Sequence, residues 1–142
     1  MIKEEGLKLE NQLCFPLYVA SKEVIRKYRP YLEALDLTYT QYIAMMVLWE
    51  EKEINVKDLG SRLYLDSGTL TPLLKSLESK GYIKRYRQDE DERVVMTELT
   101  RKGERLKEKA ALVPEKMAAC LKLQNKEALE LYRLLNKVIN SL

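Results

Sequence analysis

The chain has 142 residues and a formal charge of +3, with 46% hydrophobic and 33% charged side chains and little glycine or proline. This length fits one domain, the composition favours helix, and no apolar stretch is long enough to span a bilayer. Because the sequence contains no histidine, histidine acid–base catalysis and histidine metal sites are excluded. The two cysteines form no Cys-x-x-Cys motif and there is no glycine-rich phosphate loop, so we expect no metal and no cofactor. The first ten residues lack an apolar signal core, which favours a cytoplasmic protein.

The N-terminal quarter has apolar side chains at steps of three and four from Leu9 to Leu35, which predicts one long amphipathic helix. Pro30 is expected to kink or split this helix near its end. Two further residues, Cys14 and Pro16, lie near its start. If the helix begins about two residues before Cys14, this cysteine lies in the first turn, facing unpaired backbone N–H groups. If the helix begins earlier, Pro16 kinks it beside Cys14.

The middle of the chain carries several helix-start signals. Thr38 and Gln41 form a capping box, so a helix is predicted to begin there. Asn55 can cap a short helix that ends at Leu63, and after a three-residue turn Asp66 can cap a longer one that runs to about residue 80. A short helix, a tight turn and a longer helix form the helix-turn-helix pattern.

A β-hairpin is predicted directly after the longer helix. The segment 82–87, "YIKRYR", alternates apolar and basic residues, and the segment 94–99, "VVMTEL", reads as its return strand. Two more helices should follow, one capped by Thr100 and broken at Pro114, and one capped by Asn125. The predicted fold class is therefore mainly α with a small β-hairpin, in which the hairpin forms a wing.

Several segments resemble a known family. The run from Leu63 to Leu106, which includes "YLDSGTLTPLLK", the wing element Asp91–Glu92–Arg93 and "LTRKG", resembles the winged helix-turn-helix of MarR-family transcription regulators. Together with "LENQLCF" and "LDLTYTQY", the sequence resembles the organic-hydroperoxide repressors (OhrR type). The resemblance implies a homodimer bound to a palindromic DNA operator, with residues 1–36 and 101–142 as dimerisation helices and residues 37–100 as the DNA-binding lobe of a single domain.

The DNA-binding residues are expected on the second helix of the motif and on the wing. Between residues 56 and 87 there are seven basic and three acidic side chains, a local excess that suits a nucleic acid partner. Asp91 is expected to position the wing arginine through a charge-assisted bond. The alternative for the strand residues is a solvated face. The predicted contact residues are Ser67, Thr69, Thr71, Pro72, Lys75, Lys84, Arg85, Arg87 and Arg93.

The sensing residue implied by the resemblance is Cys14, oxidised by an organic hydroperoxide with release of DNA. Nine tyrosines against one phenylalanine indicate that phenol hydroxyls are needed. Tyr18 lies four residues after Cys14 on the same helix face, and Tyr28 and Tyr39 match the tyrosines that reach the reactive cysteine across the dimer in OhrR-type repressors. Cys120 is either a resolving cysteine or part of an apolar helix face.

Two other function classes stay open from the sequence. One is a MarR-type repressor that a small phenolic ligand releases from DNA, in which Cys14 is a bystander. The other is a thiol peroxidase, although one predicted hairpin gives little of the strand-rich scaffold that such an enzyme usually has. We therefore expect a regulator and not an enzyme.

Overall fold

The computed structural model describes residues 2–142, which divide into two compact units at Ala111 and Leu112. None of the helices within residues 2–142 combines the length and apolarity needed to cross a membrane. The helices are α1 (Ile2–Glu5), α2 (Cys14–Glu33), α3 (Tyr39–Glu51), α4 (Val56–Leu63), α5 (Ser67–Ser79), α6 (Arg101–Ala110), α7 (Val113–Cys120) and α8 (Asn125–Asn140). The strands are β1 (Glu53–Asn55), β2 (Ile83–Arg87) and β3 (Val95–Leu99).

The long N-terminal helix begins later than the apolar pattern suggested. Helix α2 starts at Cys14, and Leu9 lies in a separate 3-10 turn before it, so the expectation of one helix from Leu9 was wrong. Pro16 explains the difference, because a helix that continued upstream would need the backbone N–H that proline lacks. In the first turn of a helix the missing N–H of proline costs no hydrogen bond, because N–H groups there have no acceptor within the helix. Pro30 lies inside α2 and does not end it.

The first unit has its core between α3 and the helix-turn-helix. The predicted capping box is present, since the Thr38 amide donates to Gln41 Oε1 at 3.0 Å and the Gln41 amide donates to Thr38 Oγ1 at 3.3 Å. The Trp49 indole donates to the carbonyl of Gly103 at 2.8 Å and so joins α3 to α6. The fully buried apolar side chains that fill this core include Met45, Leu48, Leu59, Leu74 and Leu77.

The helix-turn-helix forms as predicted. Asn55 Oδ1 accepts the Asp58 amide at 2.7 Å and begins α4, and Asp66 Oδ1 accepts the Thr69 amide at 2.8 Å and begins α5. A Cβ at Gly60 would lie 2.9 Å from the carbonyl oxygen of residue 65, so glycine is required where the turn crosses α4. The confirmed caps fix where each helix of the motif starts.

The sheet has three antiparallel strands in the order β1-β3-β2, one more than the predicted hairpin. Strands β2 and β3 pair from Ile83 with Leu99 to Arg87 with Val95, as the alternating pattern indicated. Strand β1 was missed because it has three residues, with Ile54 as its only apolar side chain, between two capped helices. It pairs with β3 and attaches the wing to the start of α4.

The second unit consists of α7 and α8. Pro114 lies in the first turn of α7, so the predicted break in the C-terminal helical region is confirmed. Helix α8 is capped by Gln124, whose amide donates to Glu127 at 3.1 Å, and not by Asn125 as predicted. On α8, Leu129 is 71% exposed and Tyr132 is 70% exposed. These two side chains are therefore open to solvent.

Candidate DNA-binding surface and sensing cysteine

Helix α5 separates a buried apolar face from an exposed polar face. Leucines at four positions point into the core, and the residues predicted to contact DNA lie on the other side. The buried leucines are Leu70, Leu73, Leu74 and Leu77. The exposed residues are Ser67, Thr69, Thr71, Pro72 and Lys75. Since the core fixes one face, the hydroxyls and the lysine are held outward, which is the geometry that major-groove contact requires.

In the wing, Arg93 is bonded to a neighbouring carboxylate. The Arg93 side chain is 91% exposed, and it donates from Nε to Asp91 Oδ1 at 3.1 Å and from Nη2 to Asp91 Oδ2 at 3.2 Å. The Arg93 amide also donates to Asp91 Oδ1 at 3.0 Å. These bonds hold the pKa of Asp91 below its ordinary value, so the carboxylate stays ionised. The expected bond between the two side chains is therefore present.

The basic residues of β2 differ in their availability. Lys84 is exposed. Arg85 is engaged within the chain, because its amide and its Nη2 donate to Glu78 at 2.9 and 3.2 Å and only 21% of its side chain is exposed. Arg87 is exposed and donates to the carbonyl of Glu92 at 2.8 Å. Arg85 thus ties the strand to α5, which favours a structural role for it.

An open groove lies between the two helices of the motif and the wing. It encloses about 940 Å³ and is lined by the starts of α4 and α5 together with Arg93. Lys57 and Tyr64, which are not among the predicted DNA-contact residues, also line this groove. Tyr64 is 78% exposed and has a positive φ of 55°, an unusual backbone state for a large side chain that only the structure reveals.

Cys14 is the first residue of α2, and it is exposed. Of the two arrangements left open by the sequence, the observed one places Cys14 in the first turn, where the backbone N–H groups have no partner within the helix. Tyr18, one turn further, is 61% exposed, and the Lys22 ammonium lies 5.6 Å from its ring centre.

Three tyrosines form a cluster where α2 meets α3. The ring centres of Tyr28 and Tyr39 are 5.0 Å apart, and Tyr42 lies 5.8 Å from the first and 6.3 Å from the second. Burial raises the pKa of Tyr28 and of Tyr39, so both phenols keep their protons and can donate hydrogen bonds. Tyr42 is not among the predicted sensing residues, so its part in the cluster was missed.

The structure does not bring Cys14 and this tyrosine cluster together in one chain. Cys14 and Tyr28 lie on the same helix, fourteen positions apart. At a rise of 1.5 Å per residue they are separated by about 21 Å along the helix axis. Cys120, the second cysteine, ends α7 in the second unit and is also exposed.

Comparisons with known proteins agree with this architecture. Residues 21–110 match the family model of the transcriptional regulator SarA/Rot. The organic hydroperoxide resistance transcriptional regulator of Bacillus subtilis is 53% identical over 79% of this chain and 76% of its own length. The SarZ regulator of Staphylococcus saprophyticus is 45% identical over 98% of this chain and 95% of its own length.

A solved structure of a DNA-bound relative has a similar fold. Reduced AbfR bound to DNA, a Staphylococcus epidermidis protein, superimposes with a TM-score of 0.83 at 35% identity and covers 98% of this chain and 95% of its own. The winged helix-turn-helix, the exposed face of α5 and the wing arginine are thus placed in a fold that binds DNA in a relative. The chain belongs to the MarR-type winged-helix transcription regulators, in the branch that includes the organic hydroperoxide regulator and the SarA/Rot proteins.

Proposed function

We propose that this protein is a DNA-binding repressor that senses organic hydroperoxides through Cys14 and then releases its operator. The proposal is supported mainly by Cys14, whose sulfur is exposed in the first turn of α2. The same chain has a helix, α5, whose polar face points away from the core and can contact DNA. Two relatives support the proposal, one named for organic hydroperoxide resistance and one solved in the reduced form on DNA. The protein would act in the cytoplasm, where its DNA partner is.

The active form would be a homodimer. Because Cys14 and Tyr28 lie about 21 Å apart along one helix, only a second chain can bring the phenol of Tyr28 to the sulfur. Exposed apolar side chains are available for such a contact at both ends of the chain, among them Leu13 at 83% and Leu129 at 71% exposure. We therefore assign residues 1–36 and 101–142 to dimerisation and residues 37–100 to DNA binding.

In this dimer Tyr28 and Tyr39 of one chain would donate hydrogen bonds to Cys14 of the other. Both phenols are half-buried and remain protonated, as their raised pKa values require. Two O–H donors and a helix N-terminus would replace the histidine or metal that activates many reactive cysteines. Tyr18, on the same helix face as Cys14, would cover the sulfur from its own chain.

The chemistry is a two-electron oxidation of sulfur. Cys14 loses its thiol proton, and the sulfur attacks the terminal oxygen of the hydroperoxide ROOH. An S–O bond forms and the O–O bond breaks, so that the cysteine becomes a sulfenic acid and RO⁻ takes up a proton to leave as the alcohol. The oxidised sulfur would change its bonds to the tyrosine cluster, and the recognition helices would lose the spacing that matches the two half-sites.

Cys120 is proposed as a resolving cysteine. Its thiol would attack the sulfenic acid of Cys14 on the other chain, form a disulfide and release water. A disulfide form of AbfR is known, with 35% identity, a TM-score of 0.65, and coverage of 99% of this chain and 93% of its own. Non-reducing electrophoresis after hydroperoxide treatment should give a covalent dimer in the wild type and none in Cys120→Ser. A covalent dimer that persists in Cys120→Ser would exclude this role.

On DNA, the exposed residues of α5 would enter the major groove and Arg93 the neighbouring minor groove, where narrow grooves attract arginine. Lys84 and Arg87 would contact the phosphate backbone. Arg85 is a weaker candidate because Glu78 already binds its guanidinium. The hydroxyls of α5 can bind base edges or phosphates, so base specificity depends on the whole surface and not on one side chain.

The direct test is DNA binding by the reduced protein and by the oxidised protein. A duplex selected from a random library by the reduced protein serves as the probe, and fluorescence anisotropy gives Kd before and after treatment with cumene hydroperoxide. We expect at least a tenfold rise in Kd, which a dithiol reverses. Unchanged Kd in a fully oxidised sample would exclude hydroperoxide sensing and would favour release by a phenolic ligand, which the same assay can detect.

A further inference from the structure

Gln41 links the tyrosine cluster to the recognition helix. It lies between Tyr39 and Tyr42 in sequence, at the third position of α3, and is 6% exposed. Its Oε1 accepts the Thr38 amide at 3.0 Å, while its Nε2 donates to Ser76 Oγ on α5 at 3.0 Å. One buried side chain is therefore bonded to the start of α3 and to the C-terminal half of α5.

Lys80 makes a second link between the same two regions. It follows α5 directly, and its Nζ donates to the carbonyl oxygen of Asp36 at 2.5 Å and to Gln41 Oε1 at 3.2 Å. Asp36 lies between α2 and α3 and has a positive φ of 55°. The lysine side chain is 23% exposed, so these bonds are partly shielded from water.

We propose that Gln41, Ser76 and Lys80 form a coupling clamp that makes the position of α5 follow the tyrosine cluster. This inference rests on the proposed function, since it names the residues that carry the redox signal to DNA. The clamp holds the C-terminal end of α5, whereas the predicted base contacts lie on its N-terminal half. A helix of 13 residues is about 20 Å long, so a small tilt at the clamped end produces a larger displacement at the DNA.

Gln41 is placed to transmit a movement of the tyrosine cluster to α5. Tyr39 and Tyr42 share the first turn of α3 with it, so a movement of their backbone moves Gln41 as well. Because its Nε2 is bonded to Ser76 and its Oε1 to Lys80, α5 must follow or these partly buried bonds must break. Breaking them leaves polar atoms unsatisfied, which favours movement of the two helices as one body. The three residues are positioning residues and do not contact the oxidant or the DNA.

The test compares the ratio of Kd for oxidised protein to Kd for reduced protein, measured with cumene hydroperoxide and the selected duplex. The double variant Ser76→Ala with Lys80→Met removes both links and leaves the capping box of Gln41 in place. We expect its ratio to fall below about threefold, compared with at least tenfold in the wild type, while its reduced form still binds DNA. Ser79→Ala, an exposed serine of the same helix, is the matched control and should keep the wild-type ratio.

Other outcomes separate the two proposals. If the double variant does not fold, judged by circular dichroism, Ser76→Ala alone is measured and should give an intermediate ratio. A wild-type ratio in Ser76→Ala or in a folded double variant overturns the clamp and leaves the proposed function standing. A ratio of one in the wild type overturns the proposed function itself.

Discussion

Replacement of Arg93 by alanine should weaken DNA binding and leave the fold intact. The side chain is 91% exposed and its only ion-pair partner among the described residues is Asp91, which is 38% exposed. An exposed ion pair of this kind contributes between 0 and about 1 kcal/mol to stability. The free energy of unfolding should therefore change by less than about 1 kcal/mol, so any loss of affinity reports a lost contact with DNA.

The loss of affinity follows from the two-fold symmetry of the proposed dimer. Each half-site loses one arginine, and at about 1 kcal/mol each the operator complex loses about 2 kcal/mol, or roughly thirtyfold in Kd. Two fewer positive charges at the DNA surface should also reduce the slope of log Kd against log salt by about 1.8. Fluorescence anisotropy at several salt concentrations measures both quantities.

A matched control is Arg26→Ala, which removes an exposed arginine of α2 that lies 3.8 Å from Glu23 and outside the DNA-binding lobe. It should bind DNA like the wild type. Asp91→Asn keeps Arg93 but removes the charge that aligns it, and we expect a smaller loss of about threefold. If Arg93→Ala binds within twofold of the wild type and shows the same salt slope, the wing does not contact DNA as proposed.

Three predictions concern the stability of the first unit. Gly103→Ala should lower the free energy of unfolding by about 2 kcal/mol in urea denaturation, because the new Cβ would overlap the carbonyl oxygen of Tyr82; an unchanged midpoint would show that α6 can move away. Thr97→Val should raise the free energy of unfolding by about 1 kcal/mol, because the buried Thr97 hydroxyl has no hydrogen-bond partner within the described chain. A loss of stability in this variant would show that the hydroxyl does have a partner. Bonds from Arg85 hold the pKa of Glu78 below its ordinary value. The contribution of these bonds to the stability of the fold is therefore present at pH values above that ordinary value, and it is lost as the pH falls through the folded-state pKa. Glu78→Gln should therefore be less stable than the wild type at neutral pH, and the difference should shrink as the pH falls through the folded-state pKa. A difference in thermal unfolding that does not change with pH would contradict this reason.

Local signals made most of the fold predictable. The caps at Thr38, Asn55 and Asp66 each depend on residues within three positions, so the sequence alone locates these helix starts. The start of α2 was misplaced because apolar spacing continues upstream, whereas Pro16 sets the first turn. Strand β1 is held by pairing with β3, a contact across more than forty residues that no three-residue pattern can indicate.

The candidate site was predictable where it depends on one helix face, and not where it depends on contacts between elements. The outward residues of α5 follow from the spacing of its buried leucines. The pairing of Arg85 with Glu78, the place of Tyr42 beside the other tyrosines, and the bonds of Gln41 across to α5 depend on how separate elements pack. Since Cys14 lies far from the Tyr28 cluster of its own chain, activation of Cys14 by that cluster also depends on a second chain.

The measurement that tests the central claim most directly is hydroperoxide-induced release of DNA by Cys14→Ser. Serine keeps the size and the helix-start position of the side chain but cannot form a sulfenic acid. Reduced Cys14→Ser should bind the selected duplex with a Kd within about threefold of the wild type, and cumene hydroperoxide should raise the Kd of the wild type at least tenfold. The account predicts that the Kd of Cys14→Ser stays unchanged after the same treatment. Release of Cys14→Ser as readily as the wild type would show that Cys14 is not the sensor.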